Sequence, residues 1–400
     1  MDRKILHCDL NNFFASVSLL YNPTLYNLPV AVTGSEKERH GIVLAKNEIA
    51  KSYGVKTAEA IWEAKAKCPE LITIPPMYDK YHEFSKKAQA IYAKYTDQIE
   101  PFGIDECWLD VTGSTLIFGN EVEIAHKIRR EIKEKLGITI SVGVSFNKVF
   151  AKLGSDMKKP DAVTVINREN FKDLVWKLPV SDLLFVGKST ADRLKKSGIF
   201  TIGDITLCNK KALEKLLGKN GESLYRYAMG EDNSPVAVPT PNDKPKSIGR
   251  SVTPSEDIKT VEDVWKIFLK IGEEIARELY AKNLFAATIQ VHTRTTTLEV
   301  KEFAQTLQKP TNISIELSRR AIEIFKAHYN WSLPLRSVGF RVTNLKDDGF
   351  AEQLNLFMDE KDDEKAELIE NSLRIVRDKF GNKSIKRATT IDTEKPDQQK

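Results

Sequence analysis

Hydrophobic and polar positions change their period several times along this chain, and each change predicts an element. "KILHCDL" alternates weakly and reads as a strand ending at Asp9. "NNFFASVSLLY" follows with apolar residues at helical spacing, and Asn11 or Asn12 is the expected cap. "LPVAVTG" and "GIVLAKN" read as short strands, "NEIAKSYGV" and "TAEAIWEAKAKCP" as helices, the second stopped by Pro69. A long amphipathic helix is expected over "KYHEFSKKAQAIYAKYTDQIE". Strand "ECWLDVTG", helix "EVEIAHKIRREIKEKLG", strand "TISVGVS", helix "NKVFAKLGSDM" and strand "AVTVI" come next. Short helices with Gly and Lys turns then run to about Glu231. "DNSPVAVPTPNDKPK", Asp232 to Lys246, has four prolines and little periodicity, so it reads as a linker. Beyond it "KSIGRSVTP", "FAATIQVHTRTTTLEV" and "LRSVGFRVTNL" predict strands, separated by helices near Val261–Ala281 and Ile313–His328. An acidic turn, an amphipathic helix ("EKAELIENSLRIVRDKF") and a polar tail close the chain, and the expected class is α+β.

Four hundred residues exceed one ordinary core, so two to four domains are expected. A hydrophobic fraction of 41% and a charged fraction of 29% fit a soluble globular protein. The sequence has no run of about 18 apolar residues, and "MDRKILHCDL" lacks the apolar core of a secretory signal. The expectation is a cytoplasmic protein with no membrane partner. Cys8, Cys68, Cys107 and Cys208 are scattered without C-x-x-C spacing, which reads as reduced thiols and argues against a zinc site. Net charge is +5, but Lys244 to Lys346 holds 17 Lys and Arg against 11 Asp and Glu, a balance of +6. The basic excess therefore sits in that segment and points to a polyanion.

"PFGIDECWLDV" sets Asp105 and Glu106 side by side in a strand-like run. Two adjacent carboxylates repel, and each is costly to desolvate without a neighbouring positive charge. A solvated turn is one explanation. A metal site is the other, because Asp9 also ends a strand that could pair beside Asp105, and carboxylate oxygens suit magnesium. Adjacent strand residues face opposite ways, so a shared site needs a bend or bulge.

"HCDLNNFFASV", "PFGIDECWLDVTGS" and "SVGVSFNKVFAKLGSDMKKPDAVTVI" together resemble the Y-family (translesion) DNA polymerases, the DNA polymerase IV or DinB-like group in particular. The family patterns, roughly D-x-x-x-F-[FY]-A-x-V, S-I-D-E-x-x-L-D and S-x-N-K-x-x-A-K-x-A-S-x-x-x-K-P, occur here in order. The resemblance covers about 345 residues with a recognisable tail, and three long motifs in series are a specific signal. It implies a right-hand polymerase with a mixed-sheet palm (1–10 and 78–166), small α/β fingers (11–77) and a helix-hairpin-helix-like thumb (167–231). A linker (232–246), a C-terminal α/β little finger (247–346) and a tail (347–400) complete it.

The resemblance further implies that Asp9, Asp105 and Glu106, with the Leu10 carbonyl, ligate two Mg2+ ions, for which Mn2+ could substitute. Phe14 matches the aromatic steric gate against ribonucleotides, with Phe13 beside it. Lys159 matches a lysine that meets the triphosphate, and Lys51 stands where relatives carry Arg. Lys148 is read as DNA-side or structural, and Asp110 as structural. DNA contacts are expected from Gly187 and Lys188 in the thumb hairpin, and from Arg250, Arg294, Arg336 and Arg341 in the little finger. "QLNLF" matches a sliding-clamp peptide through Gln353, Leu354, Leu356 and Phe357. Primer–template DNA, deoxynucleoside triphosphates and the clamp are the implied partners of a monomeric, bacterial, nucleoid-associated enzyme. No segment is left for a proofreading exonuclease.

Two departures stand out. Many relatives have N-Y-E-A-R where this chain has "NEIAK", so Glu48 replaces a triphosphate-holding Tyr, and either Glu48 turns outward or Lys46 and Arg39 compensate. Phe185 replaces the first hairpin glycine, leaving only Gly187. Two rivals follow. A palm-like nucleotide cyclase would share "FGIDE" but needs no thumb hairpin, basic domain or clamp peptide. A non-catalytic clamp-bound repair adaptor would have lost the carboxylates that this chain retains.

Overall fold

The computed structural model describes residues 2–35, 41–238, 240, 244–347, 360–381, 384–385 and 387–388, with backbone alone for 360–367. These residues divide into two units, one reaching residue 241 and the other beginning at residue 242.

In the first unit β1 (Ile5–Leu10) is followed by α1 (Phe13–Leu20), β2 (Val30–Thr33), β3 (Val43–Lys46), α2 (Glu48–Ser52), α3 (Ile61–Lys67) and β4 (Ile72–Ile74). Then come α4 (Tyr78–Tyr92), β5 (Ile99–Pro101), β6 (Glu106–Asp110), α5 (Thr115–Phe118) and α6 (Glu121–Leu136). β7 (Ile140–Ser145), α7 (Lys148–Met157) and β8 (Val163–Ile166) complete a five-stranded sheet of order β5-β6-β1-β7-β8. The β7–β8 pair is parallel and the other pairs are antiparallel.

Every residue of β1 and β7 is buried, because helices cover both sheet faces. Leu6, Cys8 and Leu10 point into a core with Ile124, Ile128 and Ile132 of α6. The alternate residue Ile5 packs with Trp108 and Ala151 of α7 on the opposite side. Thus His7 and Asp9, at the same strand parity as Ile5, face α7. That helix starts where Asn147 accepts a hydrogen bond from the Phe150 amide. It lies directly on β7 at Gly143, where an added Cβ would fall 1.9 Å from the Ala151 carbonyl oxygen and 2.5 Å from the Ser155 nitrogen. The missing side chain is what lets α7 bring its polar residues down onto the sheet.

β3, β2 and β4 form a separate three-stranded sheet in that order, with a small core of Ala31, Val43, Ala50, Ala64 and Leu71. Five helices end the unit: α8 (Phe171–Val175), α9 (Lys188–Lys196), α10 (Ile202–Leu207), α11 (Lys210–Leu217) and α12 (Lys219–Ala228).

The second unit has β9 (Ser247–Val252), α13 (Val261–Ala281), β10 (Leu284–Thr295), β11 (Val300–Thr311), α14 (Ser314–His328), β12 (Leu335–Asp347) and α15 (Glu360–Phe380). Its antiparallel sheet runs β11-β10-β12-β9, with α13 and α14 packed on one face through Phe268, Phe325 and Phe340. α15 joins this unit through Ser314 Oγ donating to Glu370 (2.6 Å), Arg377 to Glu273 (2.8 Å) and the Arg374 guanidinium over the Tyr280 ring.

The structure corrects four element expectations. The long helix stops at Tyr92, and residues Ile99–Pro101 form β5 against β6 instead. β4, three residues long, pairs in parallel with β2 in a stretch where no strand is expected. "FAATIQVHTRTTTLEV" is not one strand: Thr295 turns back to Glu299 and a second long strand, β11, follows. Asn12 precedes α1 in a left-handed conformation and makes no side-chain cap, and Asn11 serves elsewhere. All four cysteines are free, and no helix among the described residues is long and apolar enough to cross a membrane.

Candidate active site

Strand register assembles the acidic cluster. Asp9, second to last in β1, lies opposite Glu106, the first residue of β6. Asp105 occupies a bend just before β6, and its carbonyl accepts the Leu10 amide at 3.1 Å. The backbone bends at Asp105, but the donor atoms that lie within 4.8 Å of one another are those of His7, Asp9 and Glu106, without Asp105. Asp110, at the far end of β6, accepts the Thr112 amide and hydroxyl, a purely local turn.

Two lysines supply the positive charge. Lys152 Nζ, on α7, donates to Asp9 Oδ2 (3.2 Å) and Glu106 Oε1 (3.0 Å) and also pairs with Asp156 (3.2 Å). Lys159 Nζ donates to Asp9 Oδ2 at 2.8 Å and pairs with Asp156 at 2.9 Å. Asn11 fixes the loop carrying Lys159 by accepting the Asp161 amide (2.9 Å) while donating to Ser141 (2.9 Å). Lys148, one turn before Lys152, instead pairs with Glu100 (2.6 Å) over the Trp108 ring.

Titration follows these surroundings. Burial and the nearby charges of Asp9 and Glu106 push the Asp105 carboxyl up to about 6. Burial also raises Asp9, against the pull of Lys159 and Lys152. Burial alone would raise Glu106 as well, but His7 and Lys152 reverse it and hold that carboxyl at about 2. Burial lowers His7, whose ring is fully enclosed. His7, Asp9 and Glu106 each offer one donor atom within 4.8 Å of the others, a spacing that a single cation can span. His7 Nε2 and Glu106 Oε2 are buried and have no hydrogen-bond partner among the described residues. Hard carboxylate oxygens beside an orphaned carboxylate atom fit a divalent cation.

Next to this cluster in sequence, the Phe13–Phe14 pair divides its roles. Phe13 is core, whereas Phe14 is half-buried and stacks on Tyr81 at 4.2 Å with Tyr78 edge-on. Tyr81 is itself fixed by Ser18 through a 2.7 Å hydroxyl contact. Glu48 is exposed and accepts from Asn12 Nδ2 (2.8 Å) and Lys51 Nζ (3.3 Å), and its charge also reaches Lys46. Lys46 donates to Thr57, and Arg39 lies outside the described residues. Lys51 is therefore engaged with Glu48 rather than standing alone.

In the thumb-like helices Gly187 precedes α9 with no side-chain cap, and Phe185 keeps a positive φ of 69° with its ring exposed. In the second unit the basic residues do not share one face. Arg341 lies opposite Gln290 and Arg294 opposite Ser337, on the sheet face away from the helices. Arg250 lies opposite the core residue Phe340 and reaches Glu274 (3.6 Å) and Glu278 (3.0 Å) of α13. Arg336 falls at the irregularity between the Ser337 and Leu335 pairs. Gln353, Leu354, Leu356 and Phe357 lie outside the described residues.

Sequence reasoning missed His7, Lys152 and Asp156. A signal existed for each: His7 is two residues before Asp9 on one strand, and Lys152 and Asp156 are four apart on one helix.

Comparison with known proteins gives the family. Residues 8–156 match the impB/mucB/samB family, residues 245–356 its C-terminal domain, and residues 181–232 the DNA polymerase-iota thumb domain. DNA polymerase IV of Acetivibrio thermocellus is 48% identical over 391 residues, 98% of each chain. DNA polymerase IV 1 of Bacillus subtilis is 36% identical, covering 98% of this chain and 94% of the relative. A solved Y-family DNA polymerase chimera, Dbh-Dpo4-Dbh, superposes with a TM-score of 0.77 at 28% identity, over 86% of this chain and all of that one. The chain belongs to the Y family of DNA polymerases, in its DNA polymerase IV or DinB-like group, and is a DNA-directed DNA polymerase.

Proposed function

We propose that this polymerase extends primers across damaged template with low fidelity and without proofreading, by attack of the primer 3′-hydroxyl on the α-phosphate of a deoxynucleoside triphosphate. The observation that carries the proposal is the register of Asp9 with Glu106 and the bend that adds Asp105. In this reading the five-stranded sheet is the palm, the three-stranded sheet the fingers, α8 to α12 the thumb and the second unit the little finger.

Asp9, Asp105 and Glu106, with the Leu10 carbonyl, would hold two Mg2+ ions. When bound, these supply the charge that activates the hydroxyl and stabilises the departing pyrophosphate. Lys159 releases Asp9 and meets the triphosphate, and Lys51 offers a point charge from the fingers beside Glu48. Glu48 already has two partners, Asn12 and Lys51, so its charge opposes the nucleotide less than an unpaired carboxylate would. The half-exposed Phe14 ring, backed by Tyr81, leaves no space for a 2′-hydroxyl. Gly187 and Lys188 contact a DNA phosphate, Arg294 and Arg341 a second stretch of backbone, and residues 353–357 tether the enzyme to the sliding clamp.

Primer extension on undamaged template with Mg2+, beside an Asp105→Ala variant, tests this. Distributive synthesis lost in the variant, with a terminal mismatch left unexcised, is the expected result. Wild-type protein that binds DNA and clamp yet adds no nucleotide would make it an adaptor.

A further inference from the structure

Lys159 stands in a loop, residues 158–162, between α7 and β8. No backbone–backbone hydrogen bond involves Lys159, Pro160 or Asp161 among the described residues. Side chains grip this backbone instead, and they converge on Asp161. The Asp161 amide donates to Asn11 Oδ1 at 2.9 Å. Its carbonyl accepts from Arg129 at 2.8 Å, and the same guanidinium lies 3.0 Å from its carboxylate. Lys133 Nζ donates to the other carboxylate oxygen at 2.9 Å.

Both sources of that grip are themselves fixed. Asn11 directly follows β1, is buried, and is bound to Ser141 of β7. Arg129 and Lys133 are one turn apart on α6, whose Ile128 and Ile132 are locked in the sheet core. The Arg129 and Asp161 side chains are 33% and 20% exposed, so their pair is better shielded than a surface ion pair. Asp161 has a φ of 54°, which Asp tolerates better than most residues. A lysine is a point charge on a flexible four-carbon stem, so the reach of its ammonium depends on where its Cα is held. Pro160, between the two residues, has its φ fixed by its ring, and a shift at Asp161 therefore carries to Lys159.

We propose that Asp161, clamped by Arg129, Lys133 and Asn11, is the positioning residue that holds Lys159 where it can meet the incoming triphosphate. This rests on the reading of Lys159 as a triphosphate contact and adds to it a clamp supplied by α6. From its held position Lys159 reaches both Asp9 (2.8 Å) and Asp156 (2.9 Å), so its swing toward phosphate starts from a fixed backbone. None of the clamping side chains needs to touch the nucleotide. A point charge that meets ground state and transition state alike contributes uniform binding, so a loosened clamp shows as weaker nucleotide affinity more than as slower addition.

Single-turnover primer extension by the full chain, with the deoxynucleoside triphosphate concentration varied, separates nucleotide affinity from the rate of addition. Lys159→Ala is the reference. Arg129→Met removes the grip of α6, and Asp161→Gly removes the carboxylate while accepting the left-handed backbone. Expected is a loss of nucleotide affinity of about tenfold in Lys159→Ala and about three- to tenfold in each clamp variant. The rate at saturation changes no more in the clamp variants than in Lys159→Ala, and DNA affinity stays as in the wild type. In the Lys159→Ala background neither clamp change lowers nucleotide affinity further, because each acts only through that ammonium. An additive loss there overturns the positioning role. So does unchanged nucleotide affinity in a clamp variant that binds DNA normally, while Lys159→Ala is weakened. Unchanged affinity in Lys159→Ala instead overturns the triphosphate reading itself. The two clamp changes act on the loop from different elements, so if one variant does not fold, the other decides.

Discussion

Phe13 and Phe14 are neighbours with opposite surroundings, and substitution should separate them. Phe14→Ala is expected to raise ribonucleotide incorporation relative to deoxynucleotide by about tenfold or more, with a stability loss of only about 1 kcal/mol from the lost stack on Tyr81. Phe13→Ala opens a cavity in the core and should cost about 3–5 kcal/mol in denaturant unfolding. Steady-state kinetics with both sugar types, beside urea curves, checks the pair. Asp105 yields a prediction of a different kind. Its carboxyl is raised from 3.8 to about 6, so the folded state prefers the protonated form. Stability from this group is greatest below the unfolded value and falls as pH rises through about 6. Asp105→Asn cannot ionise there and should be more stable than wild type by about 1–2 kcal/mol at about pH 7.5, with little gain at about pH 3. Unfolding curves at both pH values decide it, and the same variant should not extend a primer. The carboxylates were legible in sequence because motif spacing preserves them. The lysine pairing was not: whether Lys148 or Lys152 reaches the site depends on helix rotation against the sheet, which the i, i+4 spacing leaves open.

At the scale of elements, α7 is positioned by what Gly143 lacks. Gly143→Ala would force the helix off β7 and should cost about 1–3 kcal/mol, with extension falling as Lys152 and Asp156 shift. Gly187→Ala is the matched control: its Cβ meets nothing within 4 Å, so only the helix-start preference is lost and the cost should stay below about 1 kcal/mol. The sheet of the second unit makes a separate prediction from its two faces. Arg341→Ala, on the open face, should lower the salt dependence of DNA binding by about one unit of log–log slope. Arg250→Ala, turned toward Glu274 and Glu278, should leave that slope nearly unchanged. Fluorescence anisotropy across a salt series measures both. Most elements were readable from periodicity, including α13 to the residue. The failures have physical causes. β4 is three residues and too short to carry a period. β11 is an edge strand exposed along most of its length, so its apolar alternation is faint and the turn before it lacks Gly or Pro. β5 continues the polar composition of α4, and only its pairing with β6 makes it a strand.

For the molecule as a whole, the proposed clamp tether makes a prediction of its own. Phe357→Ala combined with Leu354→Ala should leave distributive synthesis on a short primer unchanged while removing stimulation by a loaded clamp. Products resolved with and without the clamp would show it, and a loss of basal synthesis would contradict the tethering role. The lysines that rest on Asp9 reach further than catalysis. Because Lys152 and Lys159 already offset part of the acidic charge from within the chain, newly made protein can mature without waiting for divalent ions. Ion starvation would then silence the enzyme without unfolding it, and supply restored would return a standing pool to work with no new synthesis.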